Sequence, residues 1–134
     1  MMLEKNAALK DVELFVLDMD GTVYLGDNLI DGSLDFIHKV VESGRDYIFF
    51  TNNASKVPSI YVEKLARMGL VVDESKVVTA GDVCAEYIQE FYPNARVYLN
   101  GTPLLTDNWQ AKGINLVEDD PQVAVQSFDT TLTY

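Results

Sequence analysis

The chain has one cysteine, Cys84, and one histidine, His38, among its 134 residues. A single thiol excludes an intrachain disulfide framework and points to a reducing compartment. Cys84 falls in a helical stretch and reads as a small buried packing residue. His38 lies among residues of helical periodicity and reads as packing or surface rather than as a catalytic base. Basic residues are scarce too: ten Lys and Arg stand against 21 Asp and Glu, a formal net charge of −11. That balance excludes a nucleic-acid backbone or an anionic membrane surface as partner. It leaves an anionic small substrate open, because a cation and helix amino ends can make one local site positive on an acidic protein. No run approaches the roughly 18 apolar residues of a membrane span, and Met1 to Lys10 lack the apolar core of a signal peptide, so a cytoplasmic location is expected. Repeats, low-complexity tracts and flexible linkers are absent.

What is present begins with Asp18-Met19-Asp20-Gly21-Thr22, directly after the apolar run Leu14-Phe15-Val16-Leu17. Four large apolar residues bounded by polar ones predict a central parallel strand, buried on both faces. In open α/β sheets the ligand crevice lies beyond the carboxyl ends of the strands, which is where Asp18 and Asp20 emerge. Residues two apart on a strand share a face, so both carboxylates can address one substrate if extended geometry persists through Asp20. Gly21 then lets the chain turn sharply away. Two carboxylates held close require a shared proton or a bound divalent cation, and oxygen-only ligands favour magnesium over zinc. Read alone, the segment is also compatible with a solvated turn after a strand.

A second strand, Asp46 to Phe50, ends in Thr51-Asn52-Asn53-Ala54-Ser55. A hydroxyl and backbone N–H groups in a turn that leads into a helix can hold a phosphate, with Thr51 and Asn52 as the candidates. In isolation this segment reads as an ordinary loop and capping sequence. Its pairing with Asp18 and Asp20 favours the phosphate reading.

The remaining pattern alternates as an α/β fold should. Leu34, Ile37, Val40 and Val41 recur at helical spacing, with Gly44 as a left-handed stop. A second helix starts near Pro58, uses Ile60, Leu65 and Met68, and stops at Gly69. Lys76 to Thr79 predicts a strand, Val83 to Phe91 a helix, and Ala95 to Leu99 a further strand. Thr102-Pro103 opens another helix that contains Leu104, Leu105 and Trp109 and closes at Gly113. Ile114 to Glu118 and Gln122 to Phe128 are expected as strands. Tyr47, Phe49, Phe50 and Trp109 read as core, and Asp119-Asp120 as a solvated turn before Pro121.

The segments LDMDGTVYLG and FFTNNASK, at the spacing found here, resemble the haloacid dehalogenase superfamily of phosphatases and related hydrolases. Gly26, the double Asn and the later VVTAGD resemble its large-cap subclass, which includes p-nitrophenylphosphatases and sugar-phosphate phosphatases. The resemblance implies a Rossmann-like three-layer α/β core with a parallel sheet, here residues 1–82, followed by the start of an α/β cap at residues 83–134. It implies a magnesium-dependent phosphomonoester hydrolase acting on a small phosphorylated metabolite. Asp18 would be the nucleophile that forms an aspartyl-phosphate, and Asp20 the general acid and base. Thr51 and the backbone N–H of Asn52 would bind the transferring phosphoryl group. Gly21 would shape the phosphate-binding turn with Thr22, and Asp18 with the backbone carbonyl of Asp20 would ligate Mg2+.

The family also carries a later Lys and a later acidic pair that complete the site, and neither is found. Lys56 follows the second motif too directly for that Lys, and Asp119-Asp120 lacks the preceding helix-borne Lys. The expectation is therefore the amino-terminal portion of a longer enzyme, with apolar faces and a strand edge left exposed and open to pairing between chains. Two other classes compete: a non-catalytic phosphate- or magnesium-binding protein, and a phosphotransferase that passes the phosphoryl group to another acceptor.

Overall fold

Parallel strands cannot be joined by a tight turn, so a chain that lays two of them side by side must cross over through a helix. The computed structural model, which describes residues 9–130, shows this in the first of two units, residues 1–50. Strand β1 (Leu14–Leu17) is followed by the small antiparallel pair β2 (Tyr24–Leu25) and β3 (Asn28–Leu29), then helix α1 (Ser33–Glu42). Strand β4 (Asp46–Thr51) then pairs in parallel with β1, from Leu14 opposite Asp46 to Leu17 opposite Phe49. Ile37 and Val40 are the buried positions of α1, at the spacing of one helical face. Phe36 meets Phe15 of β1 edge to face, with ring centroids 5.5 Å apart. Gly44, at φ +74°, ends the helix as expected and donates its N–H to the Val41 carbonyl.

Strand β1 differs from its expectation of burial on both faces. Leu14 and Val16 are 49% and 60% exposed, while Phe15 and Leu17 are half-buried. Side chains alternate along a strand: α1 covers the face bearing Phe15, and the face bearing Leu14 and Val16 is open. Phe50 is likewise exposed, whereas Tyr47 and Phe49 are buried and meet edge to face. His38 lies on the exposed side of α1.

The second unit, residues 51–134, contains α2 (Pro58–Arg67), a short 3-10 turn (Glu74–Lys76), β5 (Val77–Thr79) and α3 (Ala80–Phe91). Strand β6 (Val97–Asn100), helix α4 (Pro103–Ala111) and β7 (Val123–Gln126) follow, with β6 and β7 parallel from Val97 opposite Val123 to Asn100 opposite Gln126. Pro58 and Pro103 occupy first-turn positions, where the missing N–H costs nothing. Helix α3 starts three residues earlier than its apolar pattern suggests, because Thr79 and Asp82 form a reciprocal capping box. The core of this unit gathers Ala85 and Ile88 of α3, Val97 of β6, Leu105 and Trp109 of α4, and Ile114.

Ile114 to Glu118 does not form the expected strand. It makes one bridge, Val97 to Leu116, in which Val97 donates to the Asn115 carbonyl and Val117 donates to Val97. The chain then leaves the ladder at Asp120, whose φ is +51°. Arg96 holds that turn with Nε on the Asp120 carbonyl and Nη2 on its carboxylate, both at 2.8 Å. Asp119 and Asp120 are thus exposed turn residues. Cys84 is partly rather than fully buried, and that burial pushes its thiol pKa above the ordinary value. The readings of Met1 to Lys10 and of the final TLTY fall wholly or partly outside the described residues. Among those described, no helix is long and apolar enough to cross a membrane.

The core of the second unit gives a direct stability test. Leu105→Ala removes a side chain only 2% exposed beside Trp109, the single tryptophan. A loss of about 2–5 kcal/mol is expected, read by urea unfolding with Trp109 fluorescence as the reporter. A loss no larger than that of a surface substitution would contradict the packing described.

Candidate functional site

Strand β1 ends at Leu17, and the chain reverses within the next few residues. Met19 is fully buried, whereas Asp18 and Asp20 on either side of it are exposed. This alternation continues the strand period, and Asp20 makes a bridge with Tyr24. The Met19 carbonyl accepts from the N–H groups of Thr22, Val23 and Tyr24, at 3.2, 2.8 and 3.2 Å. Gly21 donates to the Tyr24 carbonyl at 2.8 Å and adopts φ +80°. That conformation is open to glycine and strained for other L-residues. Asp18, Asp20 and Gly21 therefore share one turn, with both carboxylates on the solvent side. Among the described residues neither carboxylate has a hydrogen-bond or ion-pair partner.

Such a pair suits a hard cation: it offers oxygen donors only, at a sheet end, with acceptor capacity that no protein group uses. No group of three or more His, Cys, Asp or Glu converges among the described residues.

The second loop starts where β4 ends. Thr51 is buried, and its Oγ1 accepts the Asn53 N–H at 3.2 Å, which leaves the hydroxyl proton available for donation. Asn52 is exposed beside it. Asn53 closes the loop: its Oδ1 accepts from both the N–H and the hydroxyl of Ser55, at 2.8 and 2.7 Å. This is an Asx turn, in which a side-chain amide does the work of a backbone carbonyl. The carbonyl of buried Ser55 in turn accepts from Thr102 Oγ1 at 3.0 Å, 47 residues along the chain.

Space around this loop is also prepared. A Cβ on Gly81 would sit 2.8 Å from Leu105 Cδ1 and 3.7 Å from Ala54 Cβ. The glycine of the VVTAGD segment thus gives room for α4 and the loop to approach α3.

Sequence reasoning placed Thr51 and Asn52 in this loop but missed Asn53, Ser55 and Thr102. The available signal was the Asn two residues before a Ser, the pattern of an Asx turn. Nothing local could have linked Thr102, which read only as a helix cap, to Ser55. Lys56 is exposed beside the loop, and Lys112 Nζ lies 3.3 Å from Asp82 Oδ1.

Residues 15–115 match the family model described as haloacid dehalogenase-like hydrolase. An acid sugar phosphatase from Staphylococcus saprophyticus is 34% identical over 127 residues, covering 94% of this chain and 49% of that protein. The crystal structure of a 4-nitrophenylphosphatase from Thermotoga maritima superposes with a TM-score of 0.87 at 44% identity, covering 92% of this chain and 47% of that one. A glycerol phosphate phosphatase from Mycobacterium tuberculosis, solved in complex with magnesium, gives a TM-score of 0.75 at 29% identity, with 90% and 37% covered. The chain spans about half the length of the curated relatives it matches.

The turn after β1 is testable without any ligand. No atom lies within 4 Å of a Cβ built on Gly21, so Gly21→Ala introduces backbone strain and no clash. A loss of about 1–2 kcal/mol in chemical unfolding is expected, with a smaller loss for Gly21→Asn, since Asn tolerates left-handed geometry. Equal losses for the two variants would point to a cause other than the positive φ.

Proposed function

The chain belongs to the haloacid dehalogenase-like hydrolase family, and on that premise we propose that it supplies the nucleophile and phosphate-binding segments of a magnesium-dependent phosphomonoester hydrolase. The substrate class is a small phosphorylated metabolite such as a sugar phosphate. In this reading residues 1–82 belong to the catalytic core and residues 83–134 begin a cap, and the protein works in the cytoplasm. The observation that carries it is the pair of exposed carboxylates, without a partner among the described residues, that flank buried Met19 at the carboxyl end of β1. The match of residues 15–115 to the family model spans both loops and supports reading them together. The names carried by relatives, acid sugar phosphatase and 4-nitrophenylphosphatase, support the substrate class.

A carboxylate oxygen of Asp18 attacks phosphorus while the bond from phosphorus to the ester oxygen breaks. Asp20 gives its proton to the departing oxygen, so the alcohol leaves neutral. The Thr51 hydroxyl and the Asn52 N–H hold phosphoryl oxygens, where charge must be met by fixed donors. In the second half-reaction Asp20 takes a proton from water as that water attacks phosphorus. Inorganic phosphate leaves, and the Asp18 carboxylate is restored. Magnesium, when bound, supplies positive charge against the phosphoryl oxygens; the Asp18 carboxylate and the backbone carbonyl of Asp20 are the groups that would hold it. A protein of this family solved with magnesium supports that choice of ion.

The test is hydrolysis of p-nitrophenyl phosphate by the full-length gene product with and without Mg2+. Asp20→Asn should lower kcat by about 10²–10⁴-fold, and Asp18→Asn should remove measurable turnover and any acid-stable phosphoenzyme. Full turnover in the Asp18 variant would reject it as nucleophile. Binding of phosphate and Mg2+ with no turnover in the unaltered protein would select the non-catalytic alternative.

A further inference from the structure

Thr102 is 5% exposed and its hydroxyl is used twice. It accepts the Leu105 N–H at 3.2 Å as the cap of α4, and it donates to the Ser55 carbonyl at 3.0 Å. From Ser55 the connections run back without a gap. The Ser55 N–H and hydroxyl reach Asn53 Oδ1, and the Asn53 N–H reaches Thr51 Oγ1. Ser55 and Thr51 are themselves buried, at 5% exposure each. One buried hydroxyl at the start of α4 therefore terminates a chain of hydrogen bonds that begins at Thr51.

We propose that Thr102 is a positioning residue for the phosphate-binding loop, holding the Asx turn at Asn53 so that the Thr51 hydroxyl and the Asn52 N–H stay directed at the phosphoryl group. The role assigned to that loop rests on the function proposed above, whereas the tether itself does not. A buried acceptor without a donor costs free energy, so the Ser55 carbonyl has a strong preference for the loop conformation that meets Thr102. Helix α4 is anchored by Leu105 and Trp109, both almost wholly buried, which makes it a fixed point against which a short loop can be set. Fixed donors are worth most in phosphoryl transfer when they need no reorganisation as charge shifts. A tether through α4 also ties the loop to a segment that follows Asp82, so rearrangement there would be felt at Thr51.

The experiment compares three variants. Thr102→Val removes the hydroxyl at nearly constant shape, and Thr102→Ser restores both of its hydrogen bonds. Ile88→Val, in the core away from the loop, controls for lost stability alone. The first readout is amide hydrogen exchange at Asn53 and Ser55 without ligand; the second is the Kd for inorganic phosphate in the presence of Mg2+. With Thr102→Val, exchange at both amides should accelerate and phosphate binding weaken by about two- to tenfold, while Thr102→Ser and Ile88→Val stay near the parent. Unchanged exchange in Thr102→Val overturns the tether. Accelerated exchange with unaltered phosphate affinity overturns its role in positioning. Absence of phosphate binding in the parent protein overturns the phosphate-site reading instead, and the exchange data then still decide whether the tether exists.

Discussion

Burial of Met19 is the constraint on which the turn after β1 depends. A fully buried side chain between two exposed carboxylates fixes the pleat of the strand at the point where it would otherwise fray. With Met19 inward, Asp18 and Asp20 must both face outward, since side chains alternate along extended backbone. The Met19 carbonyl then collects three N–H groups from the residues that follow, which fixes where the chain reverses. Gly21 is the residue at which that reversal demands a positive φ. A buried apolar side chain thus sets the geometry of the two carboxylates beside it, at a residue whose own burial of apolar surface stabilises the unit.

The turn and most of the helices were legible in the sequence because they depend on local rules. Apolar spacing gave α1 and α2, Pro58 and Pro103 marked first turns, Gly44 and Gly69 marked stops, and Thr102 marked a cap. Asp18-x-Asp20-Gly21 announced its turn through residue types that favour turns, with Gly21 able to take the positive φ at little cost. The misses in strand burial, strand extent and the tie between Thr102 and Ser55 are nonlocal. Whether Leu14 and Val16 are buried depends on what covers the second face of β1, which the strand cannot encode. Ile114 to Glu118 has the composition of a strand but makes a single bridge, because Arg96, some twenty residues earlier in the chain, captures Asp120 and turns the backbone out of the ladder. The contact from Thr102 to Ser55 spans 47 residues and leaves no pattern in either segment.

The acidic composition is compatible with the anionic substrate proposed because of where the charges sit. Most carboxylates of the described residues are exposed, where dissolved salt screens them beyond roughly 8–10 Å at ordinary ionic strength. Several already have structural work: Asp82 closes the capping box of α3 and meets Lys112, Asp120 meets Arg96, and Asp73 caps the 3-10 turn. Hydrogen bonds from Ser75 to Asp73 hold its carboxyl below the usual carboxylate value, so this group is committed to its charged form. Among the described residues Asp18 and Asp20 have no such protein partner. A net charge of −11 describes the long-range field, and it says little about a site whose own ligands would include a divalent cation.

The two loops solve different problems with the same economy of means. The loop after β1 holds its shape with backbone hydrogen bonds alone, and among the described residues its two carboxylates take no part in it. In the function proposed, the loop after β4 presents donors, and backbone N–H groups used to close a turn are lost to a ligand. Asn53 closes the turn with its side-chain oxygen, which accepts the N–H and the hydroxyl of Ser55, so the donors spent on closure belong to Ser55. Thr51 accepts the Asn53 N–H through a lone pair and retains its proton. The residues nearest the proposed phosphoryl position therefore keep their donors, and the burden of rigidity moves outward, through Ser55, to a hydroxyl anchored on the packed core of α4.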